Sequence, residues 1–304
     1  MKKWKDDKPR AYYAKYEKVN VKNGQDWFEV YKLPGNVYGI CEPNQFQEVN
    51  IFLVPGEERA LLFDTGMGIR KIRPLAEELY AGEIIVVNSH FHFDHIANNY
   101  CFDQVYIYND PLAKKVAAAG LPKEALGNQL EERMFRFGYP QGFLPENYRI
   151  PPYHAVPIED GYCFDLGGRT LRVIHTPGHS NDGIMLYDEK YRILLTGDTF
   201  YPGTLYAHFE NEEFGQFSIN DYIASMEKVS ELIPNLDYLC CSHRDFTAPP
   251  VKLKDTADAL RKIAEGAELP ERPVDDGHTY LEDGMELKEA VFDGFSIIYK
   301  KIIS

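Results

Sequence analysis

The sequence has few of the features that mark secreted or membrane proteins. Its five cysteines include no CxxC pair and no even set, which argues against a disulfide framework and favours reduced thiols in the cytoplasm. No run of about 18 apolar residues could span a membrane. Residues 1–10 are charged and lack the apolar stretch of a secretory signal. We therefore expect a cytoplasmic protein without a membrane partner.

Basic residues are also in the minority. The chain has 33 Lys and Arg against 47 Asp and Glu, for a net charge of −14 at pH 7. This charge argues against a nucleic-acid backbone or an anionic membrane as the main partner. The 44% of hydrophobic and 26% of charged residues are ordinary for a folded enzyme, so disorder is not expected. We expect a small-molecule substrate and no nucleic acid.

Four side chains that can bind a metal ion fall within one short segment, His90-Phe91-His92-Phe93-Asp94-His95. The apolar run 84–87 before this segment predicts a buried strand of a mostly parallel sheet. Asn88 and Ser89 would turn the backbone out of the sheet, and a helix is predicted from Asp94 to Tyr100. The motif should thus lie at the carboxyl end of a strand, where open α/β sheets place their sites.

The spacing within the motif predicts two walls of one cavity. His90 and His92 point to the same side of an extended segment, because side chains there repeat every two residues. The turn into a helix brings Asp94 and His95 to the cavity from another direction. Two metal ions suit this arrangement better than one, and imidazole with carboxylate suits zinc, manganese or iron.

The motif resembles the HxHxDH signature of the metallo-β-lactamase superfamily. Further segments stand in the order expected for that family, and the resemblance covers roughly residues 46–245. They are Leu62-Phe63-Asp64-Thr65-Gly66-Met67-Gly68, Thr176-Pro177-Gly178-His179-Ser180, Leu195-Thr196-Gly197-Asp198-Thr199 and Cys241-Ser242-His243-Arg244. The likeness is nearest to the N-acyl-homoserine lactonase and glyoxalase II-like branches.

The resemblance implies a site with two divalent metal ions, zinc being the first expectation and iron or manganese the others. Asp198 would bridge the two ions. Asp64 would hold ligand imidazoles or the adjacent backbone by hydrogen bonds rather than bind metal itself. The implied ligand sets are His90, His92 and His179 for one ion, and Asp94, His95 and His243 for the other.

The predicted reaction is hydrolysis of an ester, lactone or thioester of a small molecule by a hydroxide shared between the ions. Asp94 would take the proton of the nucleophile and pass it to the leaving group. Tyr201 stands three residues after Asp198, where the resemblance implies a lactonase tyrosine that assists the carbonyl or leaving oxygen. His208 is a weaker candidate for contact with substrate.

Three other activities of the same family remain open. A glyoxalase II-like thioesterase ranks second, because the sequence after Arg244 predicts one good helix and then strands rather than the helical, basic part of that branch. A sulfur dioxygenase with a single iron ion would keep most of the ligands. A phosphodiesterase is disfavoured by the acidic composition and the lack of a basic stripe.

The pattern of elements predicts a single α/β (α+β) domain over residues 1–304, which the resemblance implies to be a four-layer αββα sandwich. Residues 1–25 are predicted to be a loose arm or an edge strand. A mostly helical insertion is expected at about 110–152. Long aromatic insertions often serve as lids or oligomer contacts, so a homodimer is among the expectations. Closing strands are predicted over 287–303.

Overall fold

The computed structural model of the protein describes residues 11–208, 210–211, 215–216, 218–274 and 285–302. The first ten residues of the predicted arm, and residue 303 of the predicted closing strands, lie outside this part. Among the residues described, no helix is both long and apolar enough to cross a membrane.

The first half of the chain builds one large mixed sheet and a small ribbon. Its strands are β1 (Glu17–Val19), β2 (Glu29–Leu33), β3 (Val37–Cys41), β4 (Asn50–Pro55), β5 (Arg59–Phe63), β6 (Glu83–Val87), β7 (Val105–Tyr108), β8 (Leu121–Pro122), β9 (Arg149–Ile150) and β10 (Ala155–Ile158). The large sheet has the order β1-β2-β3-β4-β5-β6-β7-β10, and β8 pairs with β9. Neighbours from β1 to β5 are antiparallel, whereas β5, β6, β7 and β10 run parallel.

The second half builds a second large sheet and a smaller third one. Its strands are β11 (Cys163–Asp165), β12 (Thr170–His175), β13 (Ile184–Asp188), β14 (Ile193–Leu195), β15 (Thr204–Ala207), β16 (Glu210–Asn211), β17 (Gly215–Gln216), β18 (Tyr238–Cys240), β19 (Thr247–Ala248), β20 (Glu271–Pro273), β21 (Met285–Phe292) and β22 (Phe295–Ile302). The second sheet has the order β11-β12-β13-β14-β18-β19, and the third has the order β15-β22-β21-β20. Within the second sheet β14 and β18 pair in parallel.

The helices have local signals that place their ends. They are α1 (Arg73–Leu79), α2 (Phe93–Ile96), α3 (Pro111–Ala119), α4 (Ile219–Ser230) and α5 (Val251–Ala264). The hydroxyl of Ser218 caps α4 by accepting a hydrogen bond from Asp221 N at 3.2 Å. The helix predicted from Asp94 to Tyr100 is shorter, because α2 ends at Ile96 and a separate 3₁₀ turn follows at Asn99–Cys101.

Buried apolar side chains form three clusters that separate four layers. One cluster packs α1 and α3 against the first sheet and includes Leu75 and Val116. The central cluster joins the two large sheets and includes Phe63 and Leu186. The last cluster, which includes Tyr222, packs α4 and α5 against the second sheet. This order of helix, sheet, sheet and helix confirms the predicted αββα fold.

The insertion at 110–152 contains less helix than the sequence pattern predicts. Helix α3 ends at Gly120, whose φ of +71° suits glycine and whose Cβ, if present, would lie 2.2 Å from the Ile150 carbonyl oxygen. Beyond it, 3₁₀ turns and the β8–β9 ribbon replace the helical structure expected for the rest of the insertion. Apolar side chains of this segment, including Met134 and Phe135, are fully buried in the first cluster, which explains its departure from a regular helix.

Residues 11–25 take the edge-strand alternative rather than that of a loose arm. They form a 3₁₀ helix at Ala11–Lys15 and strand β1 at the edge of the first sheet. Tyr13 is only 5% exposed, and its hydroxyl donates to Asn50 Oδ1 at 3.2 Å. The same hydroxyl lies 3.1 Å from the Arg244 carbonyl, so this part of the chain is anchored to the loop that follows β18.

Candidate metal centre

The candidate metal centre lies where strands of both large sheets end. Parallel pairing of β5 with β6 places Asp64 beside the loop that carries the HxHxDH motif. Parallel pairing of β14 with β18 places Asp198 beside the His243 loop, because the carboxyl ends of parallel neighbours meet at one edge. Ile184 N donates to the Ser89 carbonyl at 2.8 Å, which joins the two sheets at this edge.

The side chains predicted as metal ligands come together, and each is 7% exposed or less. They form three overlapping groups, and within each group the ligand atoms all lie within 4.8 Å of one another. The groups are His90, His92 and His179; His90, His95 and Asp198; and Asp94, His95 and His243. The first and third are the two ligand sets that the resemblance implies.

Asp198 lies between these two sets. Its Oδ1 atom is 3.1 Å from His243 Nε2 and 3.3 Å from His95 Nε2. Its Oδ2 atom is 3.6 Å from His179 Nε2 and 4.0 Å from His90 Nε2. One carboxylate thus faces imidazoles of both sets, which is the position predicted for a bridging ligand.

Hydrogen bonds at the far side of the rings orient most of these histidines. In three of them Nδ1 faces a fixed oxygen, so Nε2 is left for the cluster. The partners are Asp64 Oδ2 for His95 at 2.9 Å, the Tyr206 carbonyl for His179 at 3.2 Å and the Gln47 carbonyl for His243 at 2.7 Å. His92 is turned the other way, because its Nδ1 lies 3.1 Å from Nε2 of His179.

Asp64 holds the HxHxDH segment in place by hydrogen bonds. It accepts hydrogen bonds from Ser89 N at 2.7 Å and from the Ser89 hydroxyl at 2.8 Å, and its Oδ2 also faces His95 Nδ1. The Ser89 hydroxyl in turn lies 2.8 Å from His90 Nδ1. Asp64 has a φ of +70°, a region that non-glycine residues rarely occupy outside functional turns. The contact of Asp64 with His95 is the contact with a ligand imidazole that the resemblance implies.

The charges of the cluster are set by burial and by close opposite charges. Burial alone would raise the pKa of Asp198, but the imidazoles of His243 and His95 outweigh it and hold that pKa well below its ordinary value. Burial alone would lower the pKa of His95, but the carboxylates of Asp198, Asp94 and Asp64 hold it well above its ordinary value. The carboxylates and imidazoles of the site thus shift each other's pKa in opposite directions.

His90 has the opposite behaviour. Burial, followed by the neighbouring His95 and His92, lowers its pKa well below the ordinary value, so its imidazole is neutral at physiological pH. A neutral imidazole presents a lone pair, and this is the form that binds a metal ion.

The donor set fits divalent metal ions. Nε2 of His90 and Nε2 of His95 are buried, and neither makes a hydrogen bond of good geometry to any part of the chain that the structure describes. A buried polar atom left unpaired costs about 1–3 kcal/mol. Both atoms face the cluster, where metal ions would satisfy them together with the carboxylates.

Two residues predicted to act on substrate occupy less direct positions. The Tyr201 hydroxyl donates to the Thr204 carbonyl, and its ring packs against His243 with 4.8 Å between ring centroids. His208 follows β15, with its ring 5.9 Å from that of Tyr206, and is outside the three ligand groups found among the described residues. Roles for Tyr201 and His208 in catalysis or substrate binding remain predictions.

Two buried acids near the site, Glu42 and Asp182, are not predicted from the sequence. Glu42 accepts hydrogen bonds from Trp27 Nε1 at 2.7 Å and from Met67 N at 2.8 Å, and burial raises its pKa to about 7. Asp182 accepts from the Ser180 hydroxyl, and burial raises its pKa to about 7 as well. Neither acid belongs to a local motif that could have marked it in the sequence. Ser89, predicted only as a turn residue, also contacts Asp64 and His90.

Comparison with known proteins decides the family. A model described as the metallo-beta-lactamase superfamily matches residues 45–243, more than half of the chain. The chain belongs to the metallo-β-lactamase superfamily. The solved MIM-2 metallo-β-lactamase has the same fold, with a TM-score of 0.55 at 16% identity over 87% of this chain and 96% of that one.

Among the curated relatives are thioesterases. Human acyl-coenzyme A thioesterase MBLAC2 is 29% identical over 225 residues, which cover 68% of this chain and 77% of the human protein. The atrochrysone carboxyl ACP thioesterase of Aspergillus fumigatus is 28% identical over 165 residues, which cover 52% of this chain and 31% of that protein. The chain is thus a superfamily hydrolase with relatives that act on thioesters.

Proposed function

We propose that this protein is a metal-dependent thioester hydrolase whose substrate is an acyl group carried on a thiol such as coenzyme A. The observation that carries the proposal is the buried cluster of five imidazoles and two carboxylates, divided into two ligand sets with Asp198 between them. The thioesterase relatives favour a thioester over the other carbonyl substrates of the family.

Two divalent ions, zinc in the first instance, are the cofactor we propose for this cluster. His90, His92 and His179 would hold one ion, and Asp94, His95 and His243 the other, with Asp198 shared. Such ions would supply a Lewis acid for the carbonyl group and would lower the pKa of a water molecule.

Asp94 is the residue that we propose to transfer the proton of the attacking water. Asp94 Oδ2 lies 3.6 Å from His243 Nε2 and 3.7 Å from His95 Nε2, so its carboxylate faces the centre of the site. Asp94 can accept the proton of the attacking water and return it after the carbon–sulfur bond breaks. Because Asp94 is only 5% exposed, this transfer occurs away from bulk water.

The position of Tyr201 favours a thioester over a lactone. Its hydroxyl is engaged with the Thr204 carbonyl, so it does not offer its proton to a leaving oxygen in this conformation. A thiol has a pKa of about 8.5 when free, so a leaving sulfur needs less assistance from an acid than an alkoxide does. Thioester hydrolysis therefore depends less on proton donation by Tyr201 than lactone hydrolysis does.

Metal content and substrate preference test the proposal together. We expect two equivalents of metal per chain and release of free thiol from acyl-coenzyme A, with acyl-homoserine lactones and phosphodiesters hydrolysed much more slowly. Asp198→Ala should lose at least about 100-fold in kcat/KM and part of the metal, because it removes the carboxylate that faces both ligand sets. His154→Ala is a matched control, since His154 is exposed and its ring faces the Asp103 carbonyl instead of the cluster.

Full activity and full metal content in Asp198→Ala would refute the assignment of the site. Rapid hydrolysis of a lactone or a phosphodiester, with no release of thiol from any thioester, would refute the substrate class alone. A single iron ion per chain would favour the sulfur dioxygenase alternative.

A further inference from the structure

A cavity of about 270 Å³ lies directly beside the candidate metal centre. One wall consists of Phe91, His92 and Phe93, and the opposite wall consists of α3 and the segment 120–125. Of the side chains that line it, only His92, Lys115 and Glu124 are polar. The cavity is therefore suited to an apolar group rather than to a charged one.

His92 connects this cavity to the cluster. His92 is one of the residues that line the cavity, and its Nδ1 atom faces the cluster 3.1 Å from His179 Nε2. Phe91 and Phe93 alternate with the histidines of the motif and are 3% and 8% exposed. The motif thus presents metal-binding groups to one side and apolar surface to the other.

Local interactions fix the shape of the wall formed by α3 and the segment 120–125. Asp110 Oδ1 caps α3 by accepting hydrogen bonds from Leu112 N at 2.7 Å and Ala113 N at 2.9 Å. Gly120 ends the helix in a conformation that leaves no space for a Cβ atom. Lys115, like Glu124, is exposed, so the cavity opens to solvent at this side.

We propose that this cavity receives the alkyl chain of the acyl group, and the inference rests on the proposed thioesterase function. Its volume of about 270 Å³ has room for several methylene groups. The carbonyl carbon would lie at the cluster, next to His92, which borders both the cavity and the cluster. The protein is then selective for acyl groups of medium length.

The first test measures kcat/KM of the metal-loaded enzyme for acyl-coenzyme A substrates from two to sixteen carbons. Each methylene buried in the cavity should raise kcat/KM by about fourfold, up to a limit near ten carbons. Ala119 lies at the exposed side of the cavity, so Ala119→Trp should obstruct it and reduce kcat/KM for the decanoyl substrate at least about tenfold, with the acetyl substrate within about twofold of wild type. Ala118→Trp is the matched control, because Ala118 is exposed on the same helix and does not line the cavity.

A second variant and a binding measurement distinguish a blocked cavity from a misfolded protein. Ala125→Asp places a charge in the cavity and should also flatten the dependence on chain length. Calorimetric binding of decanoate to the metal-loaded protein should weaken at least about tenfold in Ala119→Trp and Ala125→Asp, and remain unchanged in Ala118→Trp.

The outcomes separate the cavity from the reaction. Thioester hydrolysis with no dependence on chain length, or with the same dependence in wild type and both cavity variants, would overturn the cavity proposal and leave the proposed function intact. Binding of decanoate that depends on Ala119, in a protein that hydrolyses no thioester, would support the cavity and overturn the proposed function.

Discussion

Replacing Asp64 with Asn should weaken metal binding without removing any metal ligand. Asp64 accepts hydrogen bonds from both the backbone and the hydroxyl of Ser89, and its Oδ2 lies 2.9 Å from His95 Nδ1. An amide NH₂ in place of Oδ2 would face the Nδ1 proton of His95, and two donors cannot pair. His95 would then carry its proton on Nε2, the atom needed for metal. Asn tolerates the φ of +70° at this position, so the backbone should be preserved.

Substitution of such a supporting carboxylate typically reduces metal affinity by about 10–100-fold. That loss equals about 1.4–2.7 kcal/mol of binding free energy. The assay is competition between the metal-stripped protein and a chromophoric zinc chelator, which gives the Kd of each site. Circular dichroism and the Tm in the presence of EDTA report whether the variant folds.

Glu289→Gln is the matched control for loss of a buried carboxylate. Glu289 is 4% exposed and binds Arg272 and Ser296 in the third sheet, away from the cluster. Its substitution should lower stability and leave the Kd for zinc unchanged. A folded Asp64→Asn protein that binds zinc with the wild-type Kd would refute the argument that Asp64 sets the tautomer of His95.

Three further changes test other parts of the account. Tyr201→Phe should cost about 1 kcal/mol of stability through its hydrogen bond to Thr204 and leave thioester kcat/KM within about twofold; a loss of tenfold or more would show that the hydroxyl acts on substrate. Glu42 has a pKa of about 7 when folded against an ordinary value of 4.5, so it binds more protons in the folded state and stability falls as pH rises between these values. Denaturant titrations should show that wild type loses about 3 kcal/mol relative to Glu42→Gln over this range, and parallel curves would contradict the raised pKa. Gly120→Ala should destabilise by at least about 1–2 kcal/mol, because its Cβ would meet the Ile150 carbonyl oxygen at positive φ; unchanged urea stability would contradict this strain.

Four of the proposed ligands could be predicted from local sequence, whereas three could be expected only from the family resemblance. The spacing of His90, His92, Asp94 and His95 at the end of an apolar strand is local information, and the structure shows these four together as the periodicity of strand and helix requires. The arrival of His179, Asp198 and His243 could be expected only from the resemblance, because strand pairing and sheet packing, rather than local spacing, bring them to the same edge.

What the sequence does not show depends on tertiary contacts. The raised pKa values of Glu42 and Asp182 come from burial in the folded chain, and Glu42 binds Trp27 and Met67, which are distant in sequence. A single acid in a sequence carries no such signal. The helical pattern beyond Gly120 gives way because Met134 and Phe135 are buried under the first sheet, where packing overrides local propensity. The φ of Asp64 likewise reflects the turn that its partners impose.

Anomalous diffraction from crystals of the protein, recorded at the absorption edge of the bound metal, tests the central claim most directly. The account predicts two peaks per chain, one among His90, His92 and His179 and the other among Asp94, His95 and His243, with Asp198 in contact with both. A single peak, or peaks elsewhere in the chain, would contradict it.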